Sequence, residues 1–129
     1  MLVTLKTLAQ ATKQQVFDQV VTHLRVQKVQ ANGSEGCAYR AGQLMCAAGC
    51  LIADDEYKPE MDMAGKDPQG EQCGSNWNNL VRRKVVPHTQ HDELIQDLQH
   101  VHDSYRGPSS WEGEFAKTAQ RFNLQFTPL

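Results

Sequence analysis

Three stretches of the chain repeat apolar residues at helical spacing, and they set the architecture. Val16, Phe17, Val20, Val21 and Leu24 form the first stripe, predicting a helix from about Lys13 to Lys28. Thr12 can cap it, with Gln15 three residues on as in a capping box. Leu94, Ile95, Leu98 and Val101 form the second stripe, on a helix from about Gln90 to Ser104 with Thr89 as its cap. Trp111, Phe115, Ala119 and Phe122 form the third, which Ser109 and Glu112 would open as a capping box and Asn123 would close. A short helix from about Asn76 to Lys84 is expected between them, capped by Ser75 and apolar at Trp77, Leu80 and Val81.

Asn32-Gly33-Ser34-Glu35-Gly36 interrupts the first pattern. Two short extended runs follow, Cys37 to Arg40 and Gln43 to Cys46. A turn at Ala41-Gly42 between them reads as a β-hairpin over 37–46. Ala47 to Ala53 reads as one helical turn or a buried connector. Residues 54–74 are acidic and rich in Gly and Pro, and read as a long irregular loop. Such loops usually bind something or move. The fold class is therefore α+β: a mainly helical single domain spanning 1–129, with about four helices and one small hairpin.

Composition narrows the function classes. A chain of 129 residues fits one domain and can bury a core without staples. The hydrophobic fraction of 40% and the charged fraction of 22% both argue against disorder. The net charge of -2 argues against general nucleic-acid binding, which needs a basic stripe. The start, Met1 to Lys6, lacks the basic and apolar regions of a signal peptide. The longest apolar run, Leu44 to Ala53, is too short to span a bilayer. No membrane association is expected, and the expected location is the cytoplasm, where thiols stay reduced.

Three constellations could carry chemistry. The first is thiol and imidazole. Cys46 and Cys50 are four apart and share a face if that piece is helical. A cysteine nucleophile (Cys46 or Cys50) would need a base, and His102 is the candidate because His91, Ile95, Leu98 and His102 share the core face of one helix. Asp103 follows His102. Adjacent helical residues point about 100° apart, so Asp103 is not expected to orient His102 directly. The simpler reading makes the cysteines small buried apolar groups and His102 a core-edge histidine bonded to a backbone carbonyl. A zinc site from Cys37, Cys46, Cys50 and His91 is a smaller alternative, since the spacing fits no standard zinc module. No metal or other cofactor is the primary expectation.

The second constellation is the acidic run Asp54, Asp55, Glu56, Glu60, Asp62 and Asp67, which has no calcium-loop spacing and is interrupted by Lys58 and Lys66. The third is Arg82-Arg83-Lys84, most simply a solvated face. No phosphate loop, dinucleotide fingerprint or nucleophile elbow is present.

Cys37-Ala38-Tyr39-Arg40, Cys46-Ala47-Ala48-Gly49-Cys50-Leu51-Ile52, Asp54 to Tyr57, and Asp97-Leu98-Gln99 with His102-Asp103 together resemble a family of small phage and prophage proteins. Its pattern is C-x-Y-R, then C-A-x-G-[CA]-L-I-x-D-x-x-Y, then a later L-Q-x-x-H-D, a Trp (here Trp111) and a closing F/Y/H-x-L (here Phe122 to Leu124). The likeness covers most of the chain, and the loop between Met61 and Trp77 is longer than the pattern. Alanine is allowed at the position of Cys50, which tells against a mechanism needing that sulfur. The resemblance implies a phage context and no mechanism. A small, weakly acidic domain with a long irregular loop then suits a phage-encoded accessory protein in the bacterial cytoplasm that binds and modulates a host protein. The family context alone suggests inhibition of a defence component as one version. The contact surface would include Tyr39, Asp54, Asp55, Tyr57 and Glu60. The alternative is a small hydrolase or transferase using Cys46 or Cys50 with His102.

Overall fold

The computed structural model describes all residues except 1, 34, 35, 64, 74 and 75. Four α-helices carry the fold: α1 (Lys13–Gln27), α2 (Trp77–Arg82), α3 (Asp92–Ser104) and α4 (Pro108–Arg121). Among the described residues, three antiparallel two-stranded ladders accompany them: β1 (Asn32–Gly33) with β2 (Gly36–Cys37), β3 (Arg40–Ala41) with β4 (Leu44–Met45), and β5 (Gly65–Lys66) with β6 (Gln72–Cys73). The α+β, mainly helical reading therefore holds. Among the described residues no helix is long and apolar enough to cross a membrane.

α3 packs against α1, α2 and α4, and the 3-10 turn Ala48–Leu51 packs against α1 and α3. Phe17, Leu24, Leu51, Trp77, Leu98, Trp111 and Phe115 fill the space between these elements and are almost completely buried. Each contributes on the order of 1.5–3 kcal/mol by leaving water.

The helix ends follow local chemistry, in three cases not the chemistry expected. α1 has the full capping box: Gln15 N–H donates to Thr12 Oγ1 at 3.0 Å and Thr12 N–H to Gln15 Oε1 at 2.8 Å. The cap of α2 is Asn76, whose Oδ1 accepts the Asn79 N–H at 2.9 Å; Ser75 lies outside the described residues. α3 starts two residues later than expected, with His91 at its cap position; the Thr89 hydroxyl accepts the His91 N–H at 3.2 Å, holding the turn before the helix. α4 has no Ser109–Glu112 capping box. Pro108 takes its first turn, where a missing N–H costs nothing. The Glu112 carboxylate is instead held by the Arg25 guanidinium at 2.7 and 2.9 Å. Asn123 closes α4 as expected, with positive φ (57°), while Leu124 N–H donates back to Ala119 O at 2.8 Å.

The 37–46 region is two ladders where one hairpin was expected. Cys37 pairs with Asn32 across β1–β2, and the hairpin proper is β3–β4, turning at Gly42 and Gln43. Gly42 has φ +64°, the left-handed conformation that a two-residue hairpin loop needs. The 54–74 stretch has local structure of its own: a 3-10 turn at Pro59–Asp62 and the β5–β6 ladder.

The segment after α4 returns to α1. The Gln125 backbone exchanges two hydrogen bonds with the Gln14 side-chain amide, at 2.8 and 2.9 Å. Phe126 meets Phe17 edge to face at 6.2 Å, and the Arg25 guanidinium lies 5.3 Å from the Phe126 ring.

Candidate functional site

The C-terminal half of α3 places Gln99, His102 and Asp103 against the 30–31 loop and the Ala48–Leu51 turn. The His102 ring is fully buried and stacked on Trp111, with centroids 6.1 Å apart. Its Nε2 lies 3.0 Å from the Ala31 backbone nitrogen, and that N–H can only donate. Nε2 is therefore the acceptor, and the ring proton sits on Nδ1. Nδ1–H donates to Asp103 Oδ1 at 2.7 Å. This corrects the expectation that Asp103 would not orient His102. The two Cα–Cβ bonds diverge, but Nδ1 is the ring nitrogen nearest its own backbone, and a neighbouring carboxylate can fold back to it. Gln99 completes the node: its Nε2 donates to Asp103 Oδ1 at 2.9 Å, and its Oε1 accepts the Ala48 N–H at 2.9 Å. The Gln30 amide reaches the His102 carbonyl at 2.8 Å at the end of the same helix.

The sulfurs are arranged differently from a nucleophilic site. Cys46 is fully buried, its Sγ accepts the Gly49 N–H at 3.2 Å, and burial pushes the thiol well above its ordinary pKa. Cys50 donates to Ala47 O at 3.1 Å, and burial pushes it up to about 12. Cys37 is exposed and donates to Asn32 Oδ1 at 3.3 Å; desolvation and then the Asp103 carboxylate push it up to about 11. A reactive thiol needs the opposite shift. His102 also has no vacant acceptor, because Ala31 occupies Nε2.

Among the described residues, the group of three that could hold a metal is Cys37, His102 and Asp103, whose ligand atoms lie within 4.8 Å of one another. Cys46, Cys50 and His91 do not join it. His91 donates from Nε2 to Ala11 O at 2.8 Å, leaving Nδ1 buried without a partner. The donor types would suit zinc, but the imidazole does not fit. A metal at Nδ1 would displace the proton while Ala31 N–H still occupied Nε2, which demands an imidazolate. In this hydrogen-bonding arrangement the imidazole offers neither nitrogen to a metal.

A second node centres on Arg40. Its Nη2 donates to Ile52 O at 2.5 Å and its Nη1 to Asp54 Oδ1 at 2.6 Å. The guanidinium carbon lies 5.3 Å from the Tyr57 ring centroid. Asp62 gathers this region: Oδ1 accepts the Tyr39 N–H at 2.7 Å, and Oδ2 the Tyr57 hydroxyl at 2.6 Å and the Arg40 N–H at 3.3 Å. Partial burial, and then Asp62, push the Tyr57 hydroxyl up to about 12. Gly49 presses on the Tyr39 carbonyl so closely that a Cβ there would stand 2.4 Å from the oxygen. Of the contact residues expected from sequence, Tyr39 is buried and Tyr57 half-buried, whereas Asp54, Asp55 and Glu60 are exposed.

Beside this node α1 carries Gln19, His23 and Gln27 at four-residue spacing, a row that the apolar pattern did not flag. Gln19 donates to Val3 O and Cys50 O, at 2.8 and 3.0 Å. His23 donates to Met45 O at 2.9 Å, and Gln27 brackets the Met45 peptide at 2.8 and 2.9 Å. Burial lowers the pKa of His23 below its ordinary value of 6.5. A cavity of about 420 Å³ opens between this row and Arg40. The C-x-Y-R and L-Q-x-x-H-D runs signalled Arg40, Gln99 and His102, which turn out to bind the chain's own backbone, whereas the Gln19, His23 and Gln27 row lies outside both runs. No family model, curated protein or solved structure matches the chain.

Proposed function

We propose that this chain is a phage-encoded, non-catalytic accessory protein that binds a host protein and modulates it, inhibition of a defence component being one form. The supporting observation is where the reactive atoms go. The three sulfurs described above are held as thiols, and both ring nitrogens of His102 are engaged inside the protein. Both features tell against the cysteine-dependent hydrolase or transferase reading, which needs a thiolate and a free imidazole at His102. The 54–60 stretch, in contrast, turns Asp54, Asp55 and Glu60 outward, in the segment already expected to contact a partner.

The test is paired capture from lysate of a phage-sensitive bacterium, followed by binding measurements on the purified candidate. Asp55→Lys with Glu60→Lys is expected to weaken that binding by about tenfold or more, a rim-charge effect multiplied over two sites. Cys50→Ala is expected to leave it unchanged. Retained binding in the charge-reversed protein overturns this contact surface. Loss with Cys50→Ala in a normally folded protein favours the thiol.

A further inference from the structure

We propose that the cavity between α1 and Arg40 binds a small organic carboxylate with an apolar body. Its volume of about 420 Å³ falls within the range of small-molecule sites, roughly 300–1,000 Å³. Met45, Cys50, Ile52 and Ala53 give it an apolar wall, and Arg40, His23, Gln19, Thr4, Thr22 and the Asp54 carboxylate make up its polar lining. His23 donates from Nε2 to Met45 O and burial disfavours its charged form, so Arg40 is the permanent cation of this lining.

Arg40 is held for an anion it has only loosely found. The guanidinium has five N–H donors. Its Nε is buried with no hydrogen-bond partner. Nη2 is fixed to Ile52 O, and the Tyr57 ring supports the plane. The carboxylate on Nη1 belongs to Asp54, whose side chain is 95% exposed against 17% for Arg40. An ion pair with so exposed a partner is weak. A ligand carboxylate entering the cavity would take the place of Asp54 on a pre-oriented guanidinium, while its apolar body covers the wall. The Asp54 side chain is then a replaceable occupant, and removing its charge should improve binding. A purely structural ion pair predicts no such gain.

The probes are octanoate and 4-phenylbutyrate, with octanamide and 4-phenylbutyramide as uncharged counterparts, titrated into ¹⁵N-labelled full-length protein. The carboxylates are expected to give saturable shifts at Arg40 Nε–H, Met45, Cys50 and Ala53. The amides should bind about tenfold or more weakly, as loss of a charge-assisted bond requires. Asp54→Asn should tighten carboxylate binding about two- to fivefold, with amide binding unchanged. Thr22→Trp, a substitution at an exposed position on the cavity rim, should abolish binding while leaving the thermal midpoint in place. Carboxylates that give no saturable shifts, amides that bind equally well, or an Asp54→Asn protein that binds carboxylates no better each overturn the proposal.

Discussion

His102 Nε2 accepts the backbone N–H of Ala31 at 3.0 Å, joining the end of α3 to the loop after α1 across 71 positions of sequence. This bond fixes the tautomer and withdraws the imidazole from chemistry. His102→Ala would leave a buried N–H unsatisfied and a gap against Trp111. It should cost about 2–5 kcal/mol, read as a fall in thermal midpoint. Asp103→Asn keeps an acceptor for Nδ1–H and should cost roughly 1 kcal/mol or less. Equal losses from the two substitutions would contradict this division of roles.

The thiols give a second prediction. Iodoacetamide labelling of the native protein, followed by intact mass and peptide mapping, should be slow at neutral pH for Cys37, Cys46 and Cys50. Cys37 is exposed and should respond first as pH is raised, with its rate climbing towards about 11. A labelling midpoint below pH 8 at any of these three would favour the cysteine-dependent enzyme over the binding protein.

Gly49→Ala should destabilise the fold although it removes no polar group. The new methyl would stand 2.4 Å from Tyr39 O and 3.2 Å from the carbonyl carbon, so backbone must move. Overpacking of this kind costs about 1–3 kcal/mol. An unchanged denaturant midpoint would show that the Tyr39 strand yields freely.

His23 should leave a mark on the acid side of the stability profile. Its pKa is lowered in the folded state, so the unfolded chain takes the proton first as pH falls. The contribution of His23 is therefore complete above its unfolded value near 6.5, and is lost as pH drops from there through the folded pKa. His23→Gln, which can still donate to Met45 O, should flatten the slope over that interval. If urea midpoints between pH 7 and 5 fall equally in both proteins, the slope has another source.

Much of the frame was legible because helices report themselves locally. Thr12 and Gln15 form the capping box their spacing announced, and the stripes of α1, α3 and α4 face the core. Where two local signals competed, the sequence was ambiguous. Pro108 overrode Ser109 because its fixed φ suits the first helical position, and Glu112 had a distant partner in Arg25. The inward placement of His102 could be read from periodicity, but its bond to Ala31 could not. A face says which residues are buried, not which backbone group will meet them. Asp62 was hidden for the same reason: within an acidic run it looks like surface, yet it binds two backbone N–H groups and the Tyr57 hydroxyl.

The clasp between Gln14, Phe17 and Arg25 on α1 and residues 125–127 bears on how the molecule is made. Helix α1 can form early, while the chain is still being synthesised. Its outer face stays uncovered until Phe126 and Thr127 have emerged. During that interval the Phe17 edge is open to water or to a chaperone. Closure of this face thus waits on a partner 111 positions further along the chain, a long-range step of the kind that slows folding.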